Sequence, residues 1–169
     1  MIACGAAGLL GYLTVQRLVE LWWARHNEAR LLTAGAVEYG RSHFPLMVLL
    51  HAAWLVGLWV FAIDRPLVPI FVVLFVFLQV ARFWVLATLG RRWTVRIVVV
   101  PGEQLQGSGP YRWLRHPNYA VVVGEIAVVP LALGLPVYAL VFSVLNAAVL
   151  ALRIPAENAA LTSLRRPQN

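Results

Sequence analysis

Charge is scarce in this chain, lysine is missing altogether and cysteine occurs once, and each shortage closes off a class of protein. Only 12% of the 169 residues are charged against 61% hydrophobic, far from the balance of a water-soluble globular domain. The single thiol, Cys4, excludes an intrachain disulfide and a cysteine-based metal cluster, and is read as a small buried side chain. With no internal repeat, low-complexity tract, long linker or lipidation motif, residues 1–169 read as a single integral-membrane domain.

What the chain does have is apolar sequence. Ile2–Trp22, Phe44–Ile63, Leu67–Leu89, Tyr119–Leu135 and Val137–Leu152 are each about long enough to cross a hydrocarbon layer of about 30 Å as a helix. The expected fold class is therefore all-α, a polytopic membrane helix bundle of about five transmembrane helices. Pro130, Gly134 and Pro136 interrupt the last apolar run, and a proline removes an N–H and crowds the preceding turn, so the final two spans should form a hairpin. The first span lacks a basic leading region, carries Arg17 and Glu20 near its far end and runs into Trp22-Trp23, so it reads as a retained helix rather than a signal peptide.

All fourteen basic residues are arginine, and the formal charge of +7 raises the possibility of nucleic acid as a partner. Their positions argue against it, because they follow the membrane. Arg25, Arg30 and Arg41 fall in the first loop, Arg91, Arg92, Arg96, Arg112 and Arg115 in the third, and Arg165 and Arg166 at the C-terminus; the opposite side holds only Arg65, beside Asp64. The positive-inside bias then places the N-terminus outside and the first loop, third loop and C-terminus in the cytoplasm.

Ionisable groups at membrane depth face a partner, the bundle interior or a water-filled site. Gln79 and Arg82 lie three apart on the third span, Glu125 inside the fourth, and Asn146 and Arg153 on the fifth, with Glu157 four residues after Arg153. These residues suit either structural ion pairs, Arg82 with Glu125 or Arg153 with Glu157, or a polar pocket. Pro155 is expected to kink or restart the helix between Arg153 and Glu157. His51, a lone imidazole in an apolar span, reads as a helix-packing hydrogen bonder rather than a ligand.

The loop between the third and fourth spans, from Leu89 to Tyr119, is too specific for a spacer. Gly107 and Gly109 around Ser108 permit close backbone approach, Tyr111, Trp113 and Tyr119 offer rings, and Arg112, Arg115 and His116 offer donors. The same residues would also anchor helices at the membrane interface. Their order carries more: Gly109-Pro110-Tyr111-Arg112, Arg115-His116-Pro117-Asn118-Tyr119 and Arg153-x-x-x-Glu157 together resemble the isoprenylcysteine carboxyl methyltransferase family.

The resemblance covers residues 79–161, the expected methyltransferase core, whereas residues 1–78 carry no family signature. It implies a compact bundle whose last helices and connecting loop enclose S-adenosylmethionine on the cytoplasmic side, with a lipophilic acceptor arriving from the bilayer. Carried over position by position, Gln104, Leu105, Gln106, Tyr111, His116, Pro117, Asn118, Tyr119 and Glu157 correspond to cofactor contacts, and Arg153 to an arginine that handles the acceptor's acidic group. The sequence departs from the prenylcysteine enzymes in keeping one acid after Arg153 and in placing Glu125 in the fourth span. Arg96-Ile97-x-Val99-x-Pro101-Gly102 and His116-Pro117-Asn118-Tyr119-x-x-Val122-x-x-Glu125 are more similar to a bacterial branch that O-methylates alkylpyrones or alkylresorcinols beside type III polyketide synthases, which implies the bacterial plasma membrane; the alternatives are carboxyl methylation of an isoprenylated cysteine, N-methylation of a phospholipid headgroup, and a non-catalytic membrane scaffold. Glu125 then has two readings, a base that takes a proton from the acceptor's hydroxyl, or a structural partner for Arg82.

Overall fold

The computed structural model describes residues 3–102 and 106–163. Five α-helices carry the chain: α1 (Ala3–Thr33), α2 (Phe44–Ala62), α3 (Pro69–Leu89), α4 (Pro117–Ala132) and α5 (Pro136–Ser163). Two short strands, β1 (Val37–Tyr39) before α2 and β2 (Ile97–Val99) after α3, pair antiparallel with Val37 opposite Val99 and Tyr39 opposite Ile97. The all-α membrane bundle is as expected; the ribbon is an addition that the apolar patterning did not disclose.

Prolines set the starts of three helices. Pro69, Pro117 and Pro136 each occupy the first helical position, where the missing N–H has no partner to lose. Between α4 and α5 the Leu135 N–H donates to the Pro130 carbonyl at 2.8 Å and the Gly134 N–H to Leu131 at 3.1 Å. Gly134 has φ +67°, so this is a Schellman closure that only a residue without a Cβ enters freely, and it makes the expected hairpin.

Among the described residues, three helices, α2, α3 and α5, are long and apolar enough to cross a membrane, and α4 is a shorter apolar helix. Large side chains such as Phe77, Phe83 and Val137 point out of the bundle, as befits a protein solvated by lipid. The packed centre joins Leu10 and Leu13 of α1, Trp54 and Leu58 of α2, Phe75 of α3 and Ile126 and Val129 of α4. A second cluster sets Ala160, Ala156 and Leu161 at the end of α5 against Ile97, Val99 and Tyr39 of the ribbon.

That second cluster explains one departure from expectation. α5 runs through Pro155 without a restart. The proline removes one backbone bond, to the Ala151 carbonyl, but the following turns are held by their packing on the ribbon.

Candidate active site

A cavity of about 580 Å3 lies among the ribbon, the loop after α3 and all of the helices. Its apolar lining comes from α1, α2, α4 and α5, including Leu18, Met47, Leu55, Val122 and Leu150. Its polar lining includes Tyr111, His116, Asn118, Tyr119, Arg153 and Glu157, which the loop, the start of α4 and the far part of α5 bring together.

Pro117 is buried behind this lining as the first residue of α4 and orients the turn that carries Asn118 and Tyr119. Because α5 stays helical, Arg153 and Glu157 stand one turn apart on the same stripe. The Tyr119 hydroxyl joins them, accepting from Arg153 Nε at 2.8 Å and donating to Glu157 Oε2. Arg153 Nη2 donates to the Val95 carbonyl, and the guanidinium carbon lies 5.8 Å from the centre of the Tyr119 ring.

His116 closes the group. Its ring stacks on Tyr119 with centroids 5.4 Å apart, its Nδ1 is 3.6 Å from Glu157 Oε1, and its Nε2 is 3.1 Å from Asn158 Oδ1. Both ring nitrogens face acceptors, and the Glu157 hydrogen bond holds the imidazole above its ordinary pKa of 6.5 despite partial burial. Tyr111 is pushed well above the usual phenol range, chiefly by burial and secondly by the charge of Glu157, and so remains a neutral donor. Asn118 lines the cavity and its amide makes no hydrogen bond among the described residues.

Gln106 also lines the cavity, tied to Ser108 Oγ at 2.7 Å and to the Thr88 carbonyl at 3.3 Å. Gln104 and Leu105 lie outside the described residues. Glu125 is not part of the cavity lining and is 1% exposed. Its oxygens accept from Arg82 Nη1 at 2.9 Å, from Gln79 Nε2 at 2.8 Å and from Arg17 Nη2. Glu20 completes the network, accepting from Arg82 Nε at 2.6 Å, Arg82 Nη2 at 2.9 Å and Arg17 Nη1 at 3.1 Å. Two guanidinium groups are thus matched by two carboxylates across α1, α3 and α4, and Arg82 is one of the partners of Glu125.

The match to known proteins follows this geometry. Residues 71–163, which supply every residue of the Tyr119 group, match the isoprenylcysteine carboxyl methyltransferase (ICMT) family. The chain belongs to that family. It is 38% identical over 166 residues to the uncharacterized protein YpbQ of Bacillus subtilis, covering 90% of this chain and 94% of the relative. An uncharacterized protein of Haemophilus influenzae is 29% identical over 154 residues, covering 83% of this chain and 84% of the relative. No solved structure matches the chain. As a member of the isoprenylcysteine carboxyl methyltransferase family with membrane-length apolar helices, the protein is an integral-membrane methyltransferase.

Within this family frame, α1 contributes what sequence reading missed. Asn27 donates to the Gly90 and Trp93 carbonyls at 3.2 and 2.9 Å, and Glu28 Oε1 accepts from the Val95 and Arg96 N–H groups at 3.2 and 3.0 Å. These bonds fix the loop after α3 and so place the Val95 carbonyl that holds Arg153. Adjacent polar residues late in a long apolar helix were the available signal. Asn158, the second partner of His116, sits beside Glu157 in sequence and was equally visible.

Proposed function

We propose that this methyltransferase uses S-adenosylmethionine to methylate an oxygen of a lipophilic acceptor, of the long-chain phenol or enol type found in alkylresorcinols and alkylpyrones. The observation that carries the proposal is the Tyr119 group: one hydroxyl joins a cation and a carboxylate at the wall of a cavity that is otherwise largely apolar.

The donor set fits the cofactor. Glu157 can accept from its ammonium, the uncommitted amide of Asn118 can bond its polar atoms, and Tyr111 and Tyr119 can pack on adenine or stand near the sulfonium. A cavity of about 580 Å3 is within the usual range for small-molecule sites. When bound, S-adenosylmethionine supplies an electrophilic methyl group on sulfur. The chain's own contribution is positioning: Arg153 and His116 hold Glu157 and Tyr119 in one arrangement, and the apolar walls exclude water and align the acceptor oxygen. Orientation of this kind lowers a barrier by about 7–11 kcal/mol in favourable cases.

The lining also favours an acceptor whose oxygen is acidic. Arg153 stands at the cavity wall beside Tyr119, and Arg115 lines the same cavity. A guanidinium at the wall stabilises an anionic oxygen and disfavours the cationic headgroup of a methylated phospholipid amine. The test is product chemistry. Membranes containing the protein are incubated with methyl-labelled S-adenosylmethionine and extracted, and the labelled lipid is treated with base. A base-stable methyl ether is the expected product; a base-labile ester would assign the acceptor as a carboxylate, and label in an amine headgroup would overturn oxygen transfer.

A further inference from the structure

His51 is the sole ionisable side chain of α2, and it lines the cavity together with the apolar Met47, Ala52 and Leu55. Its Nδ1 lies 2.8 Å from the Met47 carbonyl one turn earlier. A carbonyl only accepts, so Nδ1 carries the hydrogen, and the neutral ring then holds its lone pair on Nε2. Nε2 has no hydrogen-bond partner among the described residues. In the lining of the same cavity, Asn146 of α5 is 2% exposed and its amide likewise makes no hydrogen bond among the described residues. Two polar side chains kept uncommitted at membrane depth are expensive unless a ligand completes them.

His51 and Asn146 line the same cavity as Arg17, Tyr119 and Arg153, and Asn146 stands seven residues before Arg153 on α5. α2 also lies outside residues 71–163, the segment shared with the family. The shared segment holds the Tyr119 group, whereas α2 and its histidine belong to the part of the chain free to specify an acceptor.

We infer that His51 Nε2 is the base that receives the acceptor's hydroxyl proton, with the Asn146 amide as the hydrogen-bond partner of the same headgroup, so that the acceptor is an amphiphile bearing a weakly acidic hydroxyl. This rests on the methyltransferase reading. In the step, the acceptor oxygen forms the new bond to the methyl carbon, the methyl–sulfur bond breaks with its electron pair left on sulfur, and the O–H proton passes to His51 Nε2. The imidazolium so formed keeps its Nδ1 bond to Met47. A carboxylate acceptor arrives deprotonated and gives such a base nothing to do.

The test uses purified full-length protein in lipid nanodiscs and a long-chain 4-nitrophenol, whose anion absorbs visible light, bound in the presence of S-adenosylhomocysteine. Wild type is expected to show the anion band at a pH where the free probe is mostly neutral. His51→Gln, and His51→Asn as a second variant able to keep the Met47 bond, should lose that band. With S-adenosylmethionine, both should methylate the probe at least about a hundredfold more slowly, while binding the cofactor within twofold of wild type. An unchanged band, an unchanged rate in the two variants, or a wild type that binds S-adenosylmethionine but forms no anion overturns the assignment of His51. A wild type that binds no S-adenosylmethionine overturns the methyltransferase reading beneath it.

Discussion

Replacing Glu125 with glutamine tests whether the buried network is structural. Glu125 is 1% exposed and neutralises Arg82 and Arg17 jointly with Glu20, so Glu125→Gln leaves two guanidinium groups facing one carboxylate. Removing one partner from a buried ion pair costs about 3–5 kcal/mol, because the surviving charge stays desolvated. At about 2–4 °C per kcal/mol for a chain of this size, the melting temperature should fall by about 6–20 °C. The assay is thermal unfolding in detergent, with Arg17→Met added to Glu125→Gln to restore charge balance and recover much of the loss. Since Glu125 does not line the cavity, S-adenosylmethionine affinity at low temperature should stay within threefold of wild type. A variant that melts within about 2 °C of wild type yet transfers no methyl would refute this reasoning and return Glu125 to the chemistry.

The other expectations concern the cavity. Tyr119→Phe removes the hydroxyl between Arg153 and Glu157, two charge-assisted bonds of about 1.5–3 kcal/mol each, and calorimetry should show S-adenosylmethionine binding weakened by at least tenfold. His116 has a raised pKa in the folded chain, so its contribution to stability is complete below its ordinary value of 6.5 and is lost as pH rises through the raised value. Melting temperature should therefore decline across that window above pH 6.5, and His116→Gln should flatten the decline. Gly109 has φ +57° and an added Cβ would stand 2.5 Å from Thr88 Oγ1, so Gly109→Ala should cost at least about 1–2 kcal/mol and lower the melting temperature measurably.

What the sequence made legible was local. Pro130, Gly134 and Pro136 announce the α4–α5 hairpin because proline and glycine constrain the backbone where they stand. The order of Tyr111, His116, Asn118, Tyr119 and Glu157 singled these residues out together, and all five line one cavity. The remainder depends on partners far apart in the chain. Arg17 meets Glu125 across 108 residues, and nothing near either residue reports the pairing. The ribbon is missed because strands of three residues are too short for alternation to show. Pro155 does not restart the helix, because the packing of Ala156 and Ala160 on Ile97 and Val99 holds the turns that follow it. His51 looked inert because its sequence neighbours are apolar, and only the packed helices reveal that it opens on the same cavity as Arg153.

The central claim is that the Tyr119 group is a cofactor site, and calorimetric titration of S-adenosylmethionine into the purified protein tests it most directly, with Glu157→Gln beside wild type. The account predicts saturable binding to wild type and a loss of at least tenfold in a variant that remains folded. Absence of binding to well-folded wild type, or equal affinity in Glu157→Gln, would contradict it.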